Sequence, residues 1–418
     1  MSWSHVQMAC FSAYTSLFDV TILTGFLRLK GFTELHIAAY GSIIGVASFF
    51  GIFGAWIAQK TGKYKSTVRL LYATGSLFTL FAVLIGAFGG GGGFVRIIML
   101  SFLGVYQISL YMATPVQLSW FHGIVGKDRW SGFFSTRFIV MDISALIVVI
   151  AAGAVIGDAQ SVNRFLIVLC VGAALGFSGA YVLGKLPSLE ITAKVPNAKS
   201  YFKLLVSTMR NRDFKNLLAV AFLRSFAYGL IVPFQTLFLL EDLGFGYSTI
   251  SLLISFGTVM SMFSYKLWAY FNKKHGFFTS LTWNFLLSVF DPLLWVFATR
   301  NSSFPVFIAV ALYGISGHRG VVNAGFFTSL MGAILDSASE QQKPIYNSLY
   351  YIFNGIAVML APIIAGVVLQ RYNGAPLFVG GLLKEGLNGF RLVFLAAGLI
   401  LVVTTIYAFK VRSVKSNA

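Results

Sequence analysis

The sequence predicts an all-α integral membrane protein with twelve transmembrane helices in two pseudo-symmetric six-helix bundles. Three observations predict this fold. The 418 residues are 57% hydrophobic and 11% charged, whereas a soluble chain is about 25% charged. The apolar runs last about 20 residues without alternating polar positions, which is typical of membrane-spanning helices rather than barrel strands. A short basic hinge occurs twice, and its two glycines, Gly62 and Gly276, are 214 residues apart; Gly62 is the expected helix stop and turn.

Twelve apolar segments are long enough to cross about 30 Å of hydrocarbon at about 1.5 Å per residue. They are Val6–Leu27, Ile37–Ala58, Val68–Phe88, Phe94–Leu118, Ser131–Ile156, Phe165–Leu183, Leu217–Leu240, Ser248–Phe271, Phe277–Ala298, Phe304–Leu330, Ile345–Leu369 and Phe390–Phe409. We therefore predict an N-terminal bundle over residues 1–184 and a C-terminal bundle over residues 217–418. The linker between them, residues 185–216, ends in a segment, Ser200–Arg210, with the pattern of an amphipathic helix lying on the membrane surface.

The distribution of basic residues predicts the orientation. The chain has 31 Lys and Arg against 13 Asp and Glu, a net charge of +18. Most of the basic residues fall in the linker, near the termini and in the loops after even-numbered spans. The positive-inside rule then places both termini and the linker in the cytoplasm. Anionic lipid explains the charge, so no nucleic-acid partner is expected. The short loops favour a multi-pass protein of a bacterial inner membrane.

The two hinges resemble the signature of the major facilitator superfamily, Gly-x-x-x-Asp-[Arg/Lys]-x-Gly-[Arg/Lys], which lies between that family's second and third spans. The matching positions are Ala55, Gln59, Lys60, Gly62 and Lys63 in the first half, and Ala269, Lys273, Lys274 and Gly276 in the second. The basic residues and the second glycine match, whereas the first glycine and the aspartate do not. Gln59 can form hydrogen bonds but supplies no charge. Residues 127–134 resemble the basic, glycine-containing entry to the family's fifth span.

This resemblance covers essentially the whole chain and implies the major facilitator fold. It also implies a cytoplasmic gate, for which the candidates are Gln59, Lys60, Gly62, Lys63, Arg129, Arg137 and Lys274. In the family, spans one, four, seven and ten line a central cavity. The expected substrate-binding residues are Tyr14, Gln107, Tyr111, Arg224, Tyr228, His318, Arg319, Asn323 and Asn354.

Charged residues at bilayer depth are costly, about 2.5–3.5 kcal/mol on insertion scales, and usually face a cavity or a partner. Asp19 and Asp142 are therefore candidates for ion coupling, with a structural ion pair to Arg137 or Arg319 as the alternative. Arg319 has the fork that binds a carboxylate or phosphate, and His318 is either a titrating or a packed neutral histidine. Asp291, which precedes Pro292, is interpreted as a helix-break or lipid-edge feature.

The leading functional hypothesis is a secondary active transporter that works by alternating access and is driven by a proton. Its solute is small and polar, and an anionic group is favoured because the cations Arg224 and Arg319 at least match the acids. Three alternatives stay open: a sodium- or proton-coupled sugar symporter, a multidrug exporter and a non-transporting receptor. Asp19 is similar to the acid in span one of melibiose-type sugar carriers, but the second span lacks their acidic residues.

No enzymatic activity is expected from the sequence, because it contains no HExxH, GxSxG or nucleotide-binding motif and no His/Asp cluster. No cofactor and no metal are predicted. The expected partners are the small-molecule substrate, the coupling proton or sodium ion, and the lipid bilayer. The protein is expected to function as a monomer.

Overall fold

The computed structural model of the chain describes residues 2–125, 130–158, 161–188, 207–298, 320–337, 343–372 and 388–416. Every element in these ranges is helical, which confirms the all-α prediction. The helices are α1 (Ser2–Leu17), α2 (Val20–Leu29), α3 (Glu34–Phe49), α4 (Gly51–Thr61), α5 (Tyr64–Phe88), α6 (Gly93–Val125), α7 (Trp130–Ile156), α8 (Val162–Leu183), α9 (Arg212–Leu237), α10 (Tyr247–His275), α11 (Phe277–Phe297), α12 (Val321–Asp336), α13 (Lys343–Tyr372) and α14 (Gly389–Ser416). A π-helical turn, Phe238–Asp242, continues α9.

The described helices have the length and composition of a multi-pass membrane protein. Ten segments are long and apolar enough to cross a membrane, and the bent pair α1 and α2 gives an eleventh. Of the predicted tenth span only α12 falls within the described residues, since residues 299–319 lie outside them. Most of the predicted linker helix also lies outside them. The number twelve therefore stays a prediction.

The first two predicted spans are interrupted. The axes of α1 and α2 differ by 41° at a break formed by Phe18 and Asp19, and α3 ends one residue before Phe50. At the first break, the backbone carbonyl of Asp19 accepts a hydrogen bond from the Leu23 N–H at 3.0 Å. Asp19 is thus the residue at the start of α2, where the free N–H groups of the first turn favour a carboxylate. Hydropathy alone did not indicate this break.

Both hinge glycines follow the end of a helix and have a positive φ. Gly62 has φ +69°, and its N–H bonds to the Ala58 carbonyl at 2.9 Å. Gly276 has φ +80°, and its N–H bonds to the Asn272 carbonyl at 2.9 Å. A Cβ atom at either position would meet nothing within 4 Å. The backbone angle, rather than a lack of space, therefore requires glycine, and the predicted helix stop at Gly62 is confirmed.

The helices form two compact units. Unit 1 comprises the described residues of Met1–Pro196 and Gly246–Ser251, and unit 2 those of Asn197–Phe245 and Leu252–Ala418. In unit 1, α5 packs on α6 and α8, and α1 packs on α7 and α8. In unit 2, α11 packs on α12 and α14, and α9 packs on α13 and α14. The predicted bundle boundaries at residues 184 and 217 stay a prediction.

Polar groups inside the spans are largely satisfied within their own helices, because hydrocarbon offers no water to bond with. The Ser76 hydroxyl donates to the Tyr72 carbonyl at 2.9 Å, and Ser288 donates to the Asn284 carbonyl at 2.8 Å. Large apolar side chains are exposed on the outside, and Phe263 is 68% exposed. Such a surface suits lipid rather than water.

Candidate functional site

Aromatic hydroxyls fill the interior of unit 1 near the break in the first span. Tyr14 of α1 packs edge-on against Tyr106 of α6, with ring centroids 5.5 Å apart. The Tyr14 hydroxyl lies 3.2 Å from the Thr79 hydroxyl, and Gln107 Nε2 donates to the Tyr40 hydroxyl at 2.9 Å. Two predicted binding residues, Tyr14 and Gln107, are thus buried in polar contacts within unit 1.

Asp19 belongs to the same group of side chains. It is half-buried, and its carboxylate interacts electrostatically with Tyr40 and Tyr106, as does the hydroxyl of Tyr111. The structure therefore gathers four predicted residues of unit 1, namely Tyr14, Asp19, Gln107 and Tyr111, around Tyr40 and Tyr106. An acid at the start of a half-helix beside several phenols has the chemistry to hold a cation or exchange a proton.

A second polar network joins four helices of unit 1 through Arg137 of α7, which is 4% exposed. Its guanidinium donates to the Ser4 carbonyl at 2.5 Å and to Gln7 Oε1 at 3.0 Å. Gln117 Nε2 of α6 donates to the same Gln7 oxygen at 3.1 Å, and the Tyr72 hydroxyl of α5 donates to Gln117 Oε1 at 2.6 Å. Arg137, a predicted gate residue, is therefore an internal link between helices.

The Gln7 amide in this network has an unused donor. Two donors, Arg137 and Gln117, converge on its oxygen, which fixes the orientation of the amide. Its Nε2 is buried and has no hydrogen-bond partner in the described part of the chain. A buried donor without an acceptor lowers stability by about 1–3 kcal/mol.

Unit 2 contains a buried guanidinium of a different kind, that of Arg224 on α9, which is 4% exposed. It lies between two aromatic rings, with Cζ 4.4 Å from the Tyr228 centroid and 3.6 Å from the Phe326 centroid. Its Nε and Nη2 atoms have no hydrogen-bond partner among the described residues. These two groups share one edge of the guanidinium, the edge that binds a carboxylate through two parallel hydrogen bonds.

Asp291 is buried and interacts electrostatically with Arg224, so its interpretation as a lipid-edge residue is wrong. It is 1% exposed on α11, and its Oδ1 accepts a hydrogen bond from Trp295 Nε1 at 2.9 Å. Its charge acts on both Arg224 and Tyr228. The Tyr228 hydroxyl is near Ser288 and Asp291 without hydrogen-bond geometry to either. The predicted residues Arg224 and Tyr228 therefore share their site with an acid.

The other candidates are less closely grouped. Asp142, Asn323 and Asn354 are half-buried on α7, α12 and α13. In the hinge, Lys60 is exposed with its Nζ 4.9 Å from the Trp56 ring, and Lys63 is the N-cap residue of α5. Lys274 is exposed at the end of α10. The candidates that lie outside the described residues are His318, Arg319, Arg129 and the side chain of Gln59. No group of three His, Cys, Asp or Glu in the described ranges could hold a metal ion.

The sequence reasoning missed Gln7, Gln117, Tyr72 and the role of Asp291. The sequence contains a signal for Gln7, Gln117 and Asp291, because each is a polar residue inside an apolar run, as Arg224 is. Gln7 and Gln117 lie near the ends of their predicted spans, where polar residues are common, and the proline after Asp291 indicates a helix break instead of a site.

The helices and their buried polar groups define a multi-pass membrane protein of two helical bundles, and its fold is that of the major facilitator superfamily transporters. Solved structures share it over almost the whole chain. The nucleoside transporter NupG, in a mutant form, is similar with a TM-score of 0.78 and 15% identity, covering 98% of this chain and 99% of that chain.

Two further solved structures are similar with lower TM-scores. A bacterial homologue of the human lysosomal transporter Spinster has a TM-score of 0.70 and 16% identity, covering 98% of this chain and 96% of its own. A bacterial homologue of the iron transporter ferroportin has a TM-score of 0.68 and 14% identity, covering 98% of both chains. No family model and no curated protein sequence matches the chain. The likeness is one of fold.

Proposed function

We propose that the protein is a secondary transporter that moves a small polar solute with an anionic group across the membrane by alternating access, coupled to a proton. The fold supports transport, because solved structures that share it are transporters of nucleosides, metals and peptides. The solute class rests on one observation, the unpaired edge of Arg224.

A buried charge without hydrogen-bond partners destabilises the protein that contains it. Arg224 is almost fully buried, and the aromatic faces of Tyr228 and Phe326 attract the cation without using its N–H groups. Its Nε and Nη2 donors are adjacent and unpaired within the described residues. Two parallel donors on a fixed plane match the two oxygens of a carboxylate or phosphate. The site is thus suited to an anionic group of the solute.

Uptake into proteoliposomes tests this function. Purified protein would be screened with labelled small carboxylates and phosphates under an imposed proton gradient. Arg224→Lys retains the charge but removes the two-donor edge, so we expect uptake to fall at least tenfold. Arg28→Lys is the matched control, because Arg28 forms a partly exposed ion pair with Glu34 at 3.0 Å. Uptake by Arg224→Lys at the wild-type rate would contradict the assignment.

A neutral polar solute is the second candidate, favoured by the unused amide donor of Gln7 in unit 1. Such a donor matches a carbonyl or hydroxyl oxygen rather than requiring a charge, and the similar structure NupG is a nucleoside transporter. In the same assay, uridine uptake that Gln7→Leu abolishes and Arg224→Lys leaves intact would select this candidate over the anionic one.

We further propose a monomer in a bacterial inner membrane with both termini in the cytoplasm. The basic residues near the C-terminus and in the hinges support this orientation. A green fluorescent protein fused to the C-terminus should fluoresce, and an alkaline phosphatase fused at the same point should be inactive. The opposite pair of results would reverse the orientation.

A further inference from the structure

A carboxylate and a guanidinium are buried together in unit 2. Asp291 is 1% exposed and Arg224 is 4% exposed, and the charge of Asp291 acts on Arg224. Asp291 is also anchored, since its Oδ1 accepts a 2.9 Å hydrogen bond from Trp295 Nε1 one turn along the same helix. Trp295 itself is fully buried, so the carboxyl group is held in place while Arg224 retains a free edge.

The net charge of this pair depends on one proton. With Asp291 ionised, the two charges cancel and an incoming anion meets no net attraction. With Asp291 neutral, the guanidinium is an uncompensated cation with two donors ready for an anion. Both groups are almost fully buried, so the change in charge alters the electrostatic energy of a bound anion more than it would in water.

We propose that Asp291 takes up the coupling proton and thereby gives Arg224 its affinity for the anionic group of the solute. This proposal deepens the proposed function and rests on it. A proton adds to the Asp291 carboxylate when the solute binds, and it leaves when the solute leaves. Proton and anion therefore travel together, and each raises the affinity of the site for the other by the same factor.

Within the described ranges, the groups that interact with Asp291 are Arg224 and Tyr228 of α9 and Trp295 of α11, with Ser288 of α11 near Tyr228 and Tyr350 of α13 acting on Arg224. The helix α14 packs on α11, and its charged residues with described side chains include Arg391 and Lys410. Arg391 reaches the Ala298 carbonyl, about 10 Å farther along α11, and Lys410 is exposed. The described side chains of α12 contribute no charge.

The expected size of the coupling follows from Coulomb's law. At an effective dielectric constant of about 20, any unit charge within about 10 Å of a bound anion changes the affinity for that anion by at least about 15-fold. Methanesulfonate is a suitable probe because its single charge does not change with pH, and dimethyl sulfone is a neutral molecule of nearly the same shape. Binding is measured as thermal stabilisation of the purified protein.

We expect methanesulfonate to bind the wild type at least 15-fold more tightly at about pH 5 than at about pH 8, and dimethyl sulfone to show no such difference. Asp291→Asn should bind methanesulfonate tightly at both pH values, because its side chain is always neutral. Arg224→Gln should bind it at neither. Asp213→Asn, an exposed acid at the start of α9, is the matched control and should behave as the wild type.

Several results would overturn the proposal. The first is that methanesulfonate binds the wild type equally at both pH values, or at neither. The second is that the pH dependence of binding persists in Asp291→Asn. The third is that this pH dependence is lost in Asp19→Asn or Asp142→Asn instead.

Infrared spectroscopy measures the protonation of the carboxyl group without any solute. The carbonyl band of a buried protonated carboxyl should titrate in the wild type and be missing in Asp291→Asn; if it remains, Asp291 is not the proton site. If the band behaves as expected but no solute is transported, the proposed function fails and the proton site stands.

Discussion

Gln7→Leu tests the network in unit 1 because Gln7 accepts two hydrogen bonds with one oxygen. Arg137 Nη2 donates to it at 3.0 Å and Gln117 Nε2 at 3.1 Å, and all three side chains are at most 9% exposed. Leucine fills a similar volume but leaves one charged and one neutral donor without this acceptor. A hydrogen bond to a charged group contributes about 1.5–3 kcal/mol and a neutral one about 0.5–1.5 kcal/mol. The loss of both should therefore lower the free energy of unfolding by about 2–4 kcal/mol.

Removing the cation instead should cost less. In Arg137→Met, Gln7 keeps its bond from Gln117, and the buried charge disappears with its desolvation cost, so a loss of about 1–2 kcal/mol is expected. The double variant should therefore be more stable than Gln7→Leu alone. This reversal is the distinctive expectation, because adding a second substitution in a core usually lowers stability further.

Thermal unfolding in detergent, followed by tryptophan fluorescence, measures these differences. At about 2–4 °C per kcal/mol for a unit of this size, Gln7→Leu should lower the Tm by about 5–15 °C. Gln107→Leu is the matched control, since it removes one neutral bond, to the Tyr40 hydroxyl at 2.9 Å, and should cost about 1 kcal/mol. A double variant less stable than Gln7→Leu would refute the reasoning.

Three further predictions concern the backbone and the helix ends. Gly62→Ala should lower the free energy of unfolding by about 1–2 kcal/mol because alanine is strained at a positive φ, whereas its Cβ would meet no atom within 4 Å. An unchanged Tm would show that the turn adjusts to alanine without strain. Gly54→Leu should prevent folding, because a Cβ atom at this position would overlap the Met112 backbone. The variant should aggregate on size-exclusion chromatography, and a monodisperse variant would contradict this packing. Asn388→Ala should cost about 1–2 kcal/mol, because Asn388 caps α14 and donates to Asp242 Oδ1 at 2.7 Å; a Tm equal to that of the wild type would show that the cap is dispensable.

The candidate site shows how far sequence reasoning reaches. The sequence alone is enough to choose Arg224 and Gln107 as candidate site residues, because each is a polar residue inside an apolar run. Their partners could not be chosen in this way, since Gln107 meets Tyr40 on another helix 67 positions away. The lipid-edge interpretation of Asp291 fails for the same reason. The neighbouring proline is a local signal, whereas the interaction of Asp291 with Arg224 depends on how helices far apart in the chain are arranged in unit 2.

The sequence by itself determined the helical membrane fold, the approximate spans and the turn at Gly62. These follow from local chemistry, because hydrocarbon requires each span to satisfy its own backbone and a positive φ requires glycine. Only the tertiary structure decided that the first span breaks at Asp19, that Arg137 joins four helices through one polar network, and that Arg224 shares its site with Asp291. The direction in which each helix faces, and hence which buried polar groups meet, is set by packing between segments far apart in the chain.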